Sequence, residues 1–278
     1  MLLKDEEFNG EIRLLFQPSE ENSDEEGISG APRMIEDGAI EELDAVIALH
    51  VDGKMDAGTV SVSEGYILSS ADAVFAKVIG KGGHGAMPDK ARDPIFLVAP
   101  VLTAIHGIVS RWVNPVQPAV ITVGRLVGGT ASNVIPNEVE LDITVRSIND
   151  DVRKQLLVEI EQALSVAKAL GGDYEMVVRH GYPATYNNPT VASWVRETAV
   201  DLLGTQNVVD KGLVMASEDF SYMARASQGL MMILGTKAPD GPPKHVHHPE
   251  FDIDEQALPI GAAIMAETAL RFVKGQYQ

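Results

Sequence analysis

The two ends of the chain alternate short apolar runs with amphipathic stretches. Runs such as "DAVIALH", from Asp44 to His50, are almost continuously apolar. This pattern is typical of strands that are buried on both faces of a parallel sheet. Stretches in which apolar residues recur every three or four positions predict helices. The predicted segments are, in chain order, strand 11–16, helix 31–37, strand 44–50, helix 190–203, strand 229–235 and helix 255–273. This alternation predicts an α/β domain.

From Ala71 onwards the pattern changes to the order β-α-β-β-α-β. In one of these strands, Glu138 to Arg146, apolar and polar residues alternate strictly, which predicts an antiparallel sheet with one solvent-exposed face. Asp93 followed by Pro94 marks the start of the first helix, because aspartate is a favoured N-cap and proline fits the first helical position. The order of the elements is the split βαβ order of ferredoxin-like domains.

The two patterns predict that one domain is inserted into another. Residues 71–184 form the ferredoxin-like α+β domain, and residues 1–70 with 185–278 form an α/β/α domain that has a mainly parallel sheet. The length of 278 residues and the 45% hydrophobic composition allow two domains with buried cores.

The composition excludes several kinds of partner and site. Forty acidic against 22 basic residues give a net charge of -18, which repels phosphate backbones and anionic lipid surfaces. We therefore expect neither nucleic acid nor a membrane as a partner. The chain has no cysteine, so it forms neither disulfides nor thiolate metal sites. The start, "MLLKDEE", lacks the pattern of a signal peptide, so we expect a cytoplasmic protein.

Residues that can bind a metal follow or end three of the predicted strands. They are, in chain order, Glu20 and Glu21, His50, and His245, His247 and His248. In open α/β sheets ligands bind beyond the carboxyl ends of the strands, so we expect these side chains to converge. Histidine and carboxylate together suit zinc, cobalt or manganese. One of the adjacent glutamates would then bind the ion, and the other would act as a base.

Each candidate also has a simpler interpretation. Adjacent glutamates are commonly solvated, and a glycosidase-like acid pair is disfavoured because neighbouring side chains of an extended backbone point apart. His50 fits a buried, hydrogen-bonded histidine, and the histidines of "KHVHHP" also fit a phosphate contact. His84 lies between glycines on a predicted turn, Asn133 suits a turn, and Ser217 of "ASEDF" would cap a helix.

Six segments, taken in their order, connect these candidates. They are "LLFQPSEE", "ALHV", "GKGGHGAMPDKARDP", "GRLVGGTASNVIPNEVELDITVR", "ASEDFSYM" and "HHPEFDIDEQAL". The series resembles the co-catalytic zinc metallopeptidase family of aminoacylases, carboxypeptidase G, and acetylornithine and succinyl-diaminopimelate deacylases. It is most similar to the amidohydrolase branch of hippurate hydrolases, indole-acetyl-amino-acid hydrolases and N-acetyl-diaminopimelate deacetylases. The resemblance, from about Glu11 to the C-terminus, implies metal-dependent hydrolysis of the amide bond of N-acyl amino acids or small peptides.

The resemblance also implies a role for each candidate in the α/β domain. The matches are Glu20 to the general base, Glu21 and His247 to ligands of one metal ion, and His50 to a ligand of the second. His248 is a rival to His247. The family uses two divalent ions, which are zinc, manganese or cobalt.

For the inserted domain the resemblance implies a lid that also forms a homodimer. His84 matches a lid histidine that reaches the partner's site and polarises the scissile carbonyl. Asn133 and Arg146 match residues that contact the substrate or stabilise the lid.

One motif of the branch is missing. Its members carry an upstream "CGHD"-like motif with a bridging cysteine, a histidine ligand and an aspartate, and this chain has none. The chain thus resembles a family member without its N-terminal segment, and we expect an incomplete metal site. The alternative function is therefore a catalytically incomplete family member that acts as a dimeric binding protein.

Overall fold

The chain has a mixed α/β fold. The computed structural model describes residues 10–240 and 242–277, so the acidic start of the chain lies outside the described residues. The helices are α1 (Gly30–Glu36), α2 (Pro94–Trp112), α3 (Asp150–Ala169), α4 (Pro189–Leu203), α5 (Phe220–Ala226) and α6 (Ala257–Val273). The strands are β1 (Val46–Asp56), β2 (Val60–Ser61), β3 (Gly65–Leu68), β4 (Ser70–Ile79), β5 (Gly83–His84), β6 (Ala119–Gly128), β7 (Val134–Ile135), β8 (Glu138–Ser147), β9 (Asp173–His180), β10 (Thr185–Asn187), β11 (Val208–Val209) and β12 (Gly229–Lys237).

The described residues form two compact units, each with its own core. The first unit contains the described residues up to Ile67, Thr185–Val214, and the described residues from Glu218 onwards. The second contains Leu68–Ala184 and Met215–Ser217.

The first unit is built on a mixed sheet with the strand order β1-β12-β2-β11. β1 and β12 are parallel, with His50 opposite Ile233. β2 is parallel to β11 but antiparallel to β12, so the sheet is mixed, with two parallel pairings and one antiparallel pairing. A tight turn explains the antiparallel pairing, because Thr59 N donates to Asp56 O and the chain reverses directly after β1. The core of the unit consists of Val60, Val62, Val191, Ala192, Val195, Ala199, Leu230, Met232 and Ile264.

The predicted strand from Glu11 to Phe16 does not form. This segment is irregular and pairs with no strand of the described chain. Its apolar side chains are largely in solvent, since Leu14 is 74% and Phe16 is 86% exposed. Instead of a ladder, the Arg13 guanidinium holds the segment by donating to the carbonyl oxygen of Ala39 at 2.9 Å. Apolar alternation predicts a strand only where a neighbouring edge accepts its hydrogen bonds.

The second unit has four antiparallel strands in the order β6-β8-β4-β9, with α2 and α3 packed against them. The strict alternation of β8 is confirmed, because its apolar residues are buried and its polar residues are less so. The Asp93 cap is also confirmed, since its carboxylate accepts from Ile95 N at 2.9 Å. The largest side chains of this core are Leu97, Ile105, Ile108, Leu141, Leu156, Ile160 and Leu164.

One face of α2 is exposed and carries no carboxylate, lysine or arginine side chain. From Pro94 to Ser110 the helix has no Asp, Glu, Lys or Arg, and by length and composition α2 could cross a membrane. Its other face packs in the core of the second unit, as in a soluble domain. From Pro94 to Ser110 the exposed positions follow the helical period and are Ile95, Phe96, Ala99, Thr103, His106 and Ser110. Arg111 and Trp112, at the end of the helix, are exposed as well.

Candidate metal centre

The loop from Gln17 to Ala31 carries both candidate glutamates, and one carboxylate holds its two ends. Asp219, which is fully buried, precedes α5. Its Oδ1 accepts from the Gln17 side-chain amide at 2.6 Å, and its Oδ2 accepts from Ala31 N at 3.0 Å. A buried carboxylate with two donors is well satisfied, so the loop ends have a fixed position.

The backbone of this loop is tightly closed. Gly30 N donates to the carbonyl oxygen of Ser19 at 3.2 Å. A Cβ atom at Gly30 would lie 1.7 Å from the Pro18 oxygen, so only glycine fits. Ser19 itself has φ of 49°, a left-handed conformation that is unfavourable for a residue other than glycine. The turn directly before Glu20 is therefore maintained by its surroundings.

Glu20 lies in a cluster of three carboxyl groups. Oxygen atoms of Glu20, Glu218 and Asp219 all lie within 4.8 Å of one another. Burial raises the pKa of Glu218 to about 8, and the negative charge of Glu20 adds to this effect. Glu218 therefore holds a proton at neutral pH and can donate it in a hydrogen bond to the Glu20 carboxylate.

Opposing effects act on Glu20 itself. Burial raises the pKa of the Glu20 carboxyl, and the charges of Asp219 and Glu21 act in the same direction. The hydrogen bond with Glu218 and the charge of His50 lower this pKa. The net result is a raised pKa, which suits a carboxylate that exchanges protons with a substrate.

Glu21, the neighbour of Glu20, contacts a histidine. The Nε2 atom of His247 lies 3.1 Å from Glu21 Oε1, and both side chains are more than half exposed. His247 has φ of 69°, a second left-handed residue at a candidate site. Its neighbour His248 uses Nδ1 to accept from Glu250 N at 3.1 Å. An imidazole and a carboxylate from distant parts of the sequence thus meet at one place, as metal ligands do.

His50 lies inside β1 rather than at its end, because the strand continues to Asp56. The prediction that His50 ends its strand is therefore wrong, although a positive charge on His50 would be close enough to lower the pKa of Glu20. The Nδ1 atom of His50 is 2.8 Å from the carbonyl oxygen of Val51. This contact places the proton on Nδ1 and leaves the lone pair of Nε2 for a ligand, an arrangement typical of metal-binding histidines.

The remaining candidates lie in the second unit. His84 is exposed on β5, which pairs with β7, and Gly85 N donates to the carbonyl oxygen of Asn133 at 2.8 Å. The structure therefore brings His84 and Asn133 together. Arg146 lies in β8 and donates to Ser217 Oγ at 2.9 Å. Burial lowers the pKa of the Arg146 guanidinium, and the charge of Asp72 opposes this shift.

Comparison with known proteins identifies the family. The family model for peptidase family M20/M25/M40 matches residues 2–271. The chain belongs to this family. It is 34% identical over 276 residues to thermostable carboxypeptidase 2 of Saccharolobus solfataricus, covering 98% of this chain and 69% of that protein. It is 35% identical over 277 residues to N-acetyl-L-cysteine deacetylase of Bacillus subtilis, covering 98% of this chain and 64% of that protein.

A solved structure of the peptidase M20/M25/M40 family shares the fold. The YXEP protein of Bacillus subtilis, a dinuclear metal-binding peptidase, matches with a TM-score of 0.75 and 25% identity, over 93% of this chain and 64% of that chain. This chain thus spans about two thirds of the length of the relatives it matches. The predicted family is confirmed, and with it metal-dependent hydrolysis of amide bonds as the chemistry of the family.

The donor atoms present fit a divalent ion in an M20/M25/M40 protein. Glu21 and His247 meet at 3.1 Å, and the tautomer of His50 leaves Nε2 available. Carboxylate oxygens and imidazole nitrogens are ligands that suit zinc and similar ions.

Sequence reasoning missed Glu218 and Asp219. It interpreted "ASEDF" as a serine cap followed by acids of a first helical turn, but Ser217 bonds to Arg146 and α5 begins only at Phe220. The capping prediction is therefore wrong. The structure shows that Glu218 and Asp219 are buried together with Phe220, which directly follows them.

Proposed function

We propose that this M20/M25/M40 protein is a metal-dependent amidohydrolase that cleaves the amide bond of N-acyl amino acids or small peptides. One observation carries the proposal, which is that the two adjacent glutamates of one loop have different surroundings. Glu20 lies in a carboxyl cluster with the buried Glu218 and Asp219, whereas Glu21 contacts a histidine. The hydrolytic names of the relatives support this function over the alternative of a dimeric binding protein.

In this proposal Glu21, His50 and His247 hold two divalent ions, with zinc, manganese and cobalt as the candidate metals. His247 is preferred to His248, because Nδ1 of His248 already accepts a backbone hydrogen bond and its ring is oriented by that contact. The bound metal supplies Lewis-acid polarisation of the substrate carbonyl and of water.

Glu20 is the proton-transfer residue of the proposed reaction. Its raised pKa lets it take a proton from the attacking water and return that proton to the leaving amine. Protonated Glu218 keeps Glu20 in place through their hydrogen bond, while Glu218 itself stays neutral in its buried position. The products are a free carboxylic acid and a free amino acid or peptide.

The second unit serves as the lid and dimerisation domain in this proposal. His84 Nδ1 accepts from Ala86 N at 3.0 Å, so Nε2 carries a proton that can be donated to a carbonyl oxygen. Asn133 and Arg146 are proposed to contact the substrate or to stabilise the lid. The exposed face of α2 is the proposed surface of a homodimer, because it presents the large apolar side chains of Ile95 and Phe96 and exposed apolar clusters mark protein contacts.

The test measures release of free amino acid from a panel of N-acetyl-amino acids, on protein expressed from its complete reading frame and supplied with zinc, manganese or cobalt. We expect hydrolysis that a chelator stops. Glu20→Gln should lower the rate roughly 100-fold to 10,000-fold, because an amide does not accept the proton of water. Glu25→Gln, a change in the same loop, is the matched control and should retain the rate. Hydrolysis that Glu20→Gln leaves intact would disprove the assigned role.

A further inference from the structure

Asp219 is a buried carboxylate to which neither the proposed reaction nor the predicted metal site assigns a role. It is fully buried, yet it lies at the start of α5, a helix of only seven residues. Each of its oxygen atoms accepts one hydrogen bond, and the two donors, Gln17 and Ala31, are 14 positions apart in the sequence. The segment between these donors contains Glu20 and Glu21.

We propose that Asp219 is the positioning residue of this segment: by holding Gln17 and Ala31 on one carboxylate, it sets where Glu20 and Glu21 point. The inference rests on the proposed function, which assigns the two glutamates their roles. Asp219 acts through the loop and does not itself contact substrate.

The geometry of the loop explains why such a residue is needed. Ser19 has a left-handed backbone, which is unfavourable in a residue other than glycine. The Glu20 carboxylate also lies close to the negative charges of Asp219 and Glu21. Both effects favour an open loop. A fixed anchor at each end opposes them, and a single carboxylate fixes both ends relative to each other.

The hydrogen-bond chemistry suggests a set of variants that separates position from charge. Asp219→Ala removes both acceptors. Asp219→Asn retains both contacts if the Gln17 amide turns over, because the asparagine oxygen still accepts from Ala31 N and its NH₂ group donates to the Gln17 oxygen. Gln17→Glu places two carboxylates in contact, and adding Asp219→Asn to it restores a donor for the carboxylate introduced at position 17.

Two measurements follow from this. Hydrogen–deuterium exchange of the 17–31 segment reports directly on whether the loop is held. Zinc affinity, from competition with a chromophoric chelator, reports whether Glu21 is held in place for a metal. We expect Asp219→Ala and Gln17→Glu to increase exchange at least about tenfold and to weaken zinc binding about 10-fold to 100-fold, as losses of outer-shell partners of metal ligands do. Asp219→Asn and the double variant should stay within about threefold of the unaltered chain in both.

Asn187→Ala is the matched control. Asn187 is fully buried in the same unit and makes three hydrogen bonds, to Ser63 O and to the backbone N and O of Met231, but it does not contact the loop. It should destabilise the protein comparably and leave both the exchange of the 17–31 segment and the zinc affinity unchanged.

Some results would overturn the inference. These are unchanged exchange of the loop in folded Asp219→Ala and Gln17→Glu, failure of the double variant to restore it, or zinc affinity that does not follow loop exchange. If Asp219→Ala does not fold, the comparison of Gln17→Glu with the double variant Gln17→Glu, Asp219→Asn decides whether Asp219 holds the loop. If the unaltered chain binds no zinc, the proposed function fails, and exchange of the 17–31 segment alone decides whether Asp219 holds the loop.

Discussion

Glu218 is a buried carboxyl whose proton content differs between the folded and the unfolded chain. Its pKa is about 8 in the folded protein, against an ordinary value of 4.5, mainly because burial disfavours the charged form. Between these two pH values the folded protein binds more protons than the unfolded chain. The free energy of unfolding therefore loses a contribution from Glu218 as the pH rises through this window.

Glu218→Gln should remove that loss. We expect the variant to gain stability relative to the unaltered chain as the pH rises from 5 to 8, by more than about 1 kcal/mol, since one pKa unit corresponds to about 1.4 kcal/mol. Urea unfolding in the presence of a chelator, at several pH values, measures the difference. Asn187→Ala, which removes no ionisable group, should destabilise by the same amount at every pH. A constant difference between Glu218→Gln and the unaltered chain would contradict this account.

Single residues also show how far the sequence alone could lead. Adjacent Glu20 and Glu21 follow a proline and stand out in the sequence, and their separate surroundings agree with one base and one ligand. Asp219 was not recognisable as an anchor, because its two partners are distant in sequence and one of them is a backbone N–H. Backbone donors have no side-chain signature, so only the folded chain reveals them.

At the scale of elements, local patterns predicted the second unit better than the first. The Asp93 cap of α2 depends on a contact within two residues and is confirmed. The alternation of β8 is also confirmed, because β4 and β6 pair with this strand on its two sides. The segment 11–16 has an equally apolar pattern, yet it forms no strand because it has no pairing edge within the described chain. Strand formation depends on a partner elsewhere in the fold, whereas capping does not.

The exposed face of α2 leads to a prediction about association. Phe96, which is 65% exposed, lies in the first turn of α2, where glutamate suits the positive end of the helix. Phe96→Glu should therefore leave the fold intact and weaken the proposed homodimer at least about tenfold, or about 1.4 kcal/mol, because a charge is buried in the contact. Light scattering after size-exclusion chromatography, over a range of concentrations, measures this.

Val158→Glu is the control for association, since Val158 is 52% exposed on α3 of the same unit. It should leave the dimer unchanged. A monomeric unaltered chain, or equal dimerisation of Phe96→Glu, would show that α2 is not the contact surface.

At the scale of the whole molecule, the six segments in their order indicate the family. No single one of these segments would be enough to identify it. The family model matches residues 2–271, nearly the whole chain. The mixed α/β fold agrees with this series, but the sheet of the first unit is less regular than predicted, because the turn after β1 reverses the chain. The turn after β1 involves only a few residues, so it sets the direction of β2 without altering the fold class.

The central claim is that two adjacent glutamates divide the work of a metal hydrolase, with Glu21 as ligand and Glu20 as base. The most direct test compares the zinc affinities of Glu20→Gln and Glu21→Gln. Both are measured by chelator competition, with Glu25→Gln as the control. We predict that Glu21→Gln weakens binding at least about tenfold, while Glu20→Gln and Glu25→Gln bind zinc as the unaltered chain does. Loss of zinc in Glu20→Gln with normal binding in Glu21→Gln would contradict the account.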